Sequence, residues 1–372
     1  MASPGLLNSR RIFEVRHHGA KRVGVSVGQD LSWAHECLGS AGVATLRAAQ
    51  ARVAPHVRRT PMVHSPSLSA QRGGPVYLKV ESQQDTGAFK LRGATHALLS
   101  LSPEALARGV VTASTGNHGR AVAVAAQRLG ATATVCMSAL VPANKVQAIR
   151  DLGARVRIVG HSQDEAQADA RQLVAEQGLS YVPPFDHREV ILGQASLGCE
   201  IAEQLPEVGA VVIPLSGGGL FAGTALALKS LLPQVRTWGI SMRRGAAMAA
   251  SLQAGRPVVV REEATLADSL GGGIGLDNRY TFALVRGLID GLRLVDEAAI
   301  AQAMVHAYRE EREVIEGGAA VGIAALQQGL LADAAPLSAP LVLVLSGRNV
   351  DMSQHQGLLC AATSPSGDAC HD

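Results

Sequence analysis

Short apolar, β-branched runs alternate with alanine-rich stretches of helical length along most of the chain. No other feature limits the fold as much. Residues 76–80, 110–112, 133–136, 156–159, 211–213, 237–240 and 341–345 read as strands, and residues 121–129, 144–152, 163–176, 221–232 and 297–313 read as helices between them. Strands that are apolar at nearly every position are buried on both faces, and strand–helix alternation joins neighbouring strands in parallel. The expected fold is therefore α/β, with mostly parallel twisted sheets and helices on both faces. Gly109, Gly130, Gly153, Gly160 and Gly178 fall at the joints, where helix ends and turns call for them.

A chain of 372 residues can hold two domains, and 47% hydrophobic with 17% charged residues is a globular composition. A formal charge of +3 without a dense basic block argues against nucleic acid as a partner. No apolar run approaches the ~18 residues a membrane helix needs. Five cysteines, none in C-x-x-C spacing, read as reduced thiols of a cytoplasmic protein rather than a zinc or disulfide framework. Residues 1–40 are basic and acid-poor and read as a disordered leader, with a transit peptide as the sharper alternative. Residues 356–372 read as a tail.

Ligands of parallel sheets bind beyond the C-terminal ends of the strands, and three loops of small residues are expected there: Ser114 to Gly119, Ser216 to Gly219, and Ser346 to Asn349. A fourth segment, Thr86-Gly87-Ala88-Phe89-Lys90-Leu91-Arg92-Gly93, follows the run at 76–80. A lysine in a glycine-bounded turn, paired with a distant glycine loop that opens a helix, suits an aldehyde cofactor carrying a phosphate. The amine forms the Schiff base and the loop N–H groups hold the phosphate. Gly217 to Ala222 also fits G-x-G-x-x-A, but the next strand ends in Ser241-Met242-Arg243 without the acid a dinucleotide site needs. A phosphate cradle is preferred to that reading and to a plain glycine turn. The string Gly116-Asn117-His118-Gly119 is a costly helix start unless its N–H groups serve an anion such as a substrate carboxylate.

These four motifs, in this order, resemble the fold type II (tryptophan-synthase-β-like) pyridoxal-phosphate enzymes, most closely the serine/threonine dehydratase and serine racemase branch. Segments 86–95, 241–248 and 267–279 are similar to dehydratases of hydroxyectoine utilisation. The resemblance implies pyridoxal 5'-phosphate as cofactor and a homodimer. It also implies a large cofactor-binding domain from 41–111 and 189–355, with a small domain inserted at 112–188. Lys90 would carry the cofactor and then act as base, with Thr115 and Glu316 as further catalytic groups. Phe89, Asn117, Ser216, Gly217, Gly218, Gly219, Leu220 and Ser346 would bind the cofactor. Ser114, Thr115, Gly116, Asn117 and His118 would receive the substrate. The implied reaction is β-elimination of water from a hydroxy amino acid, threonine or serine in the generic case and a hydroxyectoine-derived amino acid in the finer one, giving a 2-oxo acid and ammonia.

Three departures qualify the likeness. Ala88 stands where the family usually has serine, Thr115 stands where racemases carry a serine proton donor, and Ser241 and Ala246 stand where a divalent cation would find carboxylates. The rivals are a racemase on the same scaffold, a binding protein that has lost catalysis, and a nucleotide-dependent oxidoreductase. Hard cations need oxygen ligands of the carboxylate type, so activity and melting temperature are expected to be equal in chelator and in added magnesium or calcium. Activation by either ion below millimolar concentration would point to a site built elsewhere, on Asp268 or Asp277.

Overall fold

Two sheets organise the chain. The computed structural model describes residues 30–39, 42–114, 116–141 and 143–362; Thr115, residues 1–29 of the expected leader and residues 363–372 of the expected tail lie outside them. The strands are β1 (Met62–His64), β2 (Val76–Val80), β3 (Val110–Ala113), β4 (Ala133–Met137), β5 (Arg155–Ile158), β6 (Ser180–Tyr181), β7 (Ala210–Pro214), β8 (Arg236–Met242), β9 (Gly291–Val295) and β10 (Leu341–Leu345). Six form one sheet in the order β1-β2-β10-β7-β8-β9, and four form the other in the order β5-β4-β3-β6. Every pairing is parallel except that of the short edge strand β1 with β2.

Alternation along the central strands explains why helices cover both faces. In β10, Leu341, Leu343 and Leu345 enter a core with the helices Glu297–Arg309 and Gly317–Gln327. Val342 and Val344 enter a second core with the helices Arg188–Gln204 and Gly219–Leu231. The small sheet repeats the scheme. Val110, Val135 and Met137 pack with the helix Asn117–Arg128, while Val111, Ala113 and Cys136 pack with the helix Gln163–Gln177.

The helix Lys90–Leu99 joins the two sheets. Its Leu91, Ala94, Ala97 and Leu98 belong to the core of the small sheet. Its other side meets the helix Arg188–Gln204 so closely that a Cβ on Gly193 would lie 2.6 Å from the Arg92 carbonyl oxygen. Beside that contact, Arg92 is fully buried. It donates to Glu81 through Nε and Nη2, both at 2.8 Å, and to Glu200 through Nη1 at 2.6 Å and Nη2 at 2.9 Å. Lys79 on β2 completes the cluster, donating to Glu200 Oε2 at 2.7 Å, the Thr60 carbonyl at 2.8 Å and Gln204 Oε1 at 2.9 Å.

Several expectations from sequence change. The helix expected over 297–313 stops at Arg309, because Arg312 takes the left-handed conformation (φ 60°) and Ser82 and Gln83 donate to the Glu313 carboxylate. Residues 30–39 of the expected leader are packed. The helix Ser32–Cys37 buries Ala34, and the Trp33 ring lies where a Cβ on Gly287 would stand. The expected tail opens inside the helix Met352–Ala361, which buries His355. No helix is long and apolar enough to cross a membrane among the described residues.

Removing one partner from a buried ion cluster leaves the others uncompensated, which costs about 3–5 kcal/mol. Arg92→Met is expected to lose that much in urea unfolding, whereas truncating the exposed Arg58 should cost far less. Equal losses from the two would mean that the buried cluster contributes nothing special.

Candidate active site

Lys90 opens its helix immediately after a turn that is tied to the end of β10. Phe89 N–H donates to the Ser346 carbonyl at 3.0 Å, Arg348 N–H donates to the Gly87 carbonyl at 2.8 Å, and Ala88 bridges to Gly347. Gly87 has φ 74°, and a Cβ there would lie 2.8 Å from Asn349 Oδ1. The turn thus needs glycine for its conformation and for the approach of Asn349. The Lys90 amine donates to the Pro184 carbonyl at 2.6 Å and lies 5.3 Å from the centre of the half-buried Phe89 ring. Burial pulls the amine down to about 8, with the Glu316 carboxylate acting against the shift.

Glu316 is the hub of the site. It precedes the helix Gly317–Gln327, and its N–H donates to the Gly347 carbonyl at 3.1 Å. Asn117 Nδ2 donates to both Glu316 oxygens at 3.0 Å, and Ser269 Oγ donates to Oε1 at 2.8 Å. Burial pushes the carboxyl up; the hydrogen bonds from Asn117 and Ser269 oppose this, and the Asp268 carboxylate adds to it. Asn349 Nδ2 donates to Asn117 Oδ1 at 2.6 Å and to the Thr86 carbonyl at 2.8 Å. The three expected loops therefore do not share one sheet edge: the loop after β3 meets the loop after β10 across the two sheets.

Asn117, expected to bind the cofactor, bonds through its amide to Glu316 and Asn349. The His118 side chain is engaged elsewhere. It is buried, with Nε2 donating to the Val182 carbonyl at 2.8 Å, and burial together with the Lys90 charge drives its pKa down to about 3. Its ring is neutral and engaged, so among the residues expected to receive a carboxylate it has only its backbone to offer. Ser114 is half-buried, and its carbonyl oxygen lies 2.2 Å from where a Cβ on Gly119 would stand, which explains that glycine. Gly116 is exposed.

The loop from Ser216 to Leu220 connects β7 to the helix Gly219–Leu231. Among the described residues, no hydrogen bond uses the N–H groups of Gly217, Gly218, Gly219 or Leu220, so four donors stand at the start of a 13-residue helix. Such a group suits an anion. The glycines themselves answer to other neighbours. A Cβ on Gly217 would lie 2.4 Å from the Phe185 ring, one on Gly219 would lie 3.0 Å from the Phe185 Cα, and Gly218 has φ 90°. Sequence reasoning missed the segment that supplies this ring. Pro184 holds the Lys90 amine, Phe185 covers the glycine loop, and Asp186 accepts from the N–H groups of Arg279 at 2.6 Å and of Tyr280 and Thr281 at 2.9 Å. Ser269 was also missed as a site residue. Neither gives a local signal, because each contact spans tens of residues or more.

The residues present fit pyridoxal phosphate. The donors at 217–220 match a phosphate and the lowered Lys90 amine matches an aldehyde. Ser346 is a buried residue whose hydroxyl makes no hydrogen bond among the described residues, which leaves it open to a ring nitrogen. Ser241 Oγ lies 3.3 Å from Met242 Sδ, and among the described residues no group of three or more His, Cys, Asp or Glu is placed so that it could hold a metal ion.

Comparison with known proteins agrees with this geometry. A relative from Sinorhizobium fredii, provisionally named a threonine dehydratase, is 53% identical over 322 residues, 87% of this chain and 96% of its own. The L-threonine ammonia-lyase of Geobacter sulfurreducens is 41% identical over 307 residues, 82% of this chain and 75% of its own. The processed form of threonine deaminase isoform 2 from Solanum lycopersicum has a TM-score of 0.82 at 35% identity, covering 91% of this chain and 96% of that one. Maize serine racemase has a TM-score of 0.81 at 33% identity, covering 85% and 96%. The family model of pyridoxal-phosphate dependent enzymes matches residues 53–347, a span that takes in the amine, the glycine loop and the Ser346 hydroxyl alike, and the chain belongs to that family.

Proposed function

We propose that the protein removes water from a hydroxy amino acid by β-elimination, as a dehydratase of the threonine ammonia-lyase type. The observation that carries this reading is the pair Lys90 and Glu316: an amine pulled down to about 8 lies close enough to a pushed-up carboxyl for the two to interact. An amine lowered in this way can give up and take back a proton closer to neutral pH, and a raised carboxyl keeps its proton to higher pH than usual.

Pyridoxal phosphate, when bound, supplies an electron sink for the charge left by a departing α-proton. Lys90 Nζ takes that proton, and the Pro184 carbonyl, which has no proton of its own to give, fixes the direction of the amine. Ser346 offers a neutral hydroxyl, which cannot hold a ring nitrogen charged as a carboxylate would. That disfavours long-lived carbanions and so favours loss of a β-leaving group over transamination. Glu316 and Asn117 orient the substrate side of the cleft, and the backbone at Ser114 and Gly116 is left to receive its carboxylate.

The finer reading is a longer substrate of the kind produced in hydroxyectoine breakdown. Arg243 and Arg279 are exposed and have no side-chain partner among the described residues, and Arg244 donates only to the Ala264 carbonyl at 3.1 Å. None of the three makes an ion pair there, which leaves them available for a second polar or anionic substrate end. The likeness to maize serine racemase supports racemisation as the second reading. A homodimer in the cytoplasm, with residues 112–188 as the smaller inserted domain, completes the proposal. Cys136 and Cys199 are free, buried thiols pushed up to about 12, which suits a reducing compartment.

Threonine, serine and longer β-hydroxy or N-acylated diamino acids should be compared for 2-oxo acid and ammonia release. Charge-assisted hydrogen bonds contribute about 1.5–3 kcal/mol, so Arg243→Ala or Arg279→Ala should lower kcat/KM for the longer substrates by roughly tenfold or more and leave threonine unchanged. Efficient threonine turnover with neither substitution altering the ranking would reduce the protein to a general threonine dehydratase. Inverted amino acid as the main product would favour the racemase.

A stability measurement checks the amine independently of activity. The folded value of about 8 lies below the ordinary lysine value of about 10.4, so between the two the unfolded chain binds more protons and stability rises with pH. The penalty is full below about pH 8. Lys90→Met should therefore raise the melting temperature of the cofactor-free protein at pH 7, and the gain should shrink toward pH 10. A gain independent of pH would place the amine in water.

A further inference from the structure

Ser269 sits on the 3-10 turn Asp268–Leu270, and its hydroxyl is the second donor to Glu316 Oε1. The turn is fixed by bonds that owe nothing to Glu316. Glu297 accepts from Thr265 Oγ1 and from Leu266 N–H, both at 2.7 Å, Ala267 N–H donates to Thr265 Oγ1 at 3.1 Å, and Leu270 N–H donates to the Ala267 carbonyl at 2.8 Å. The hydroxyl is thus presented to the carboxylate rather than drawn in by it.

The two residues after Glu316 make room for this approach. A Cβ on Gly317 would lie 2.1 Å from the Leu266 carbonyl oxygen, and one on Gly318 would lie 2.2 Å from Ser269 Oγ itself. Any side chain at 318 would displace the hydroxyl. Asn117 donates to both Glu316 oxygens from the opposite sheet, so the carboxylate is gripped between a helix of the small sheet and a turn of the large one.

We propose that Ser269 is a positioning residue for Glu316, holding the carboxylate against Asn117 and stabilising its ionised form by donating to Oε1. This rests on the reading of Glu316 as a proton-handling group of the β-elimination. The charged groups facing Glu316 are Lys90, on the helix Lys90–Leu99, and Asp268, on the same turn as Ser269; the uncharged partners are Asn117 and the Asn349 backbone. A hydrogen bond to the charged form of an acid lowers its pKa, so losing the Ser269 bond should raise the value whichever way Glu316 passes its proton.

The test uses holoenzyme carrying carbon-13-labelled glutamate, with the Glu316 carboxyl resonance assigned by its loss in Glu316→Gln. Ser269→Ala should move the Glu316 titration midpoint up by about one pH unit. Gly318→Ala, which keeps the hydroxyl but pushes it aside, should do the same, and the double substitution should add nothing. Ser269→Cys, a weaker donor of similar size, should give a smaller shift in the same direction, and covers the case in which the alanine variant does not fold. The matching limb of the kcat–pH profile should follow each shift. A lower melting temperature with an unmoved titration, or single shifts that sum in the double variant, would overturn the proposal. If the titration moves but no β-hydroxy amino acid loses water, the reaction reading fails and the role of Ser269 stands. Water loss with an unmoved titration would instead remove Ser269 from its role and leave the β-elimination standing.

Discussion

The buried cluster of Lys79, Glu81, Arg92 and Glu200 is the contact on which the site depends. Two cations and two carboxylates cancel, and each is hydrogen-bonded, the condition under which charges tolerate removal from water. Burial alone would raise Glu81, yet Arg92 holds it below the ordinary carboxylate range. Arg92 stands two residues after Lys90, Lys79 and Glu81 lie on and just beyond β2, and Glu200 lies on the helix Arg188–Gln204. Hydrophobic residues could fill the same volume at similar stability, but without the directional bonds that seat the Lys90 helix at one rotation and one depth.

Around that fixed helix the site suppresses charge. His118 is kept neutral, the Lys90 amine is pulled down and the Glu316 carboxyl is pushed up, all with burial as the first cause. Four unused N–H groups at 217–220 stand nearby as the fixed positive end of a helix. An anionic ligand thus meets preset dipoles, while burial weakens the competing charges of the Lys90 amine and the Glu316 carboxyl.

The central strands and the loops beyond them were legible because burial on both faces leaves a run of apolar, β-branched residues: β2, β7, β8 and β10 declare themselves in this way. The edges were not. β1 is three residues long, β6 is two, and β9 carries Arg293 in a partly exposed row. The helix Arg188–Gln204 went unread because Gly193 and Gly198 suggest a break, whereas both let neighbouring helices approach. The motif residues Lys90, Asn117, Gly217 to Gly219 and Ser346 could be named from sequence. Their companions Pro184, Phe185, Asp186 and Ser269 could not, since a carbonyl, a ring face, a capping carboxylate and a hydroxyl become functional only through what the fold sets opposite them.

Pro184, Phe185 and Asp186 are consecutive, and each addresses a different part of the enzyme: the amine through a carbonyl, the glycine loop through a ring, and the start of the helix Thr281–Leu288 through a carboxylate. Successive Cα atoms across a trans peptide are about 3.8 Å apart, a length that no side-chain repacking alters. The three residues therefore act as a short covalent gauge. A substitution in the surrounding helices that shifts one of the three regions must either bend this segment or break the contact to it. The Lys90 amine, the glycine loop and the segment bearing Arg279 are thus all referred to one short stretch of backbone whose own dimensions are fixed by covalent geometry.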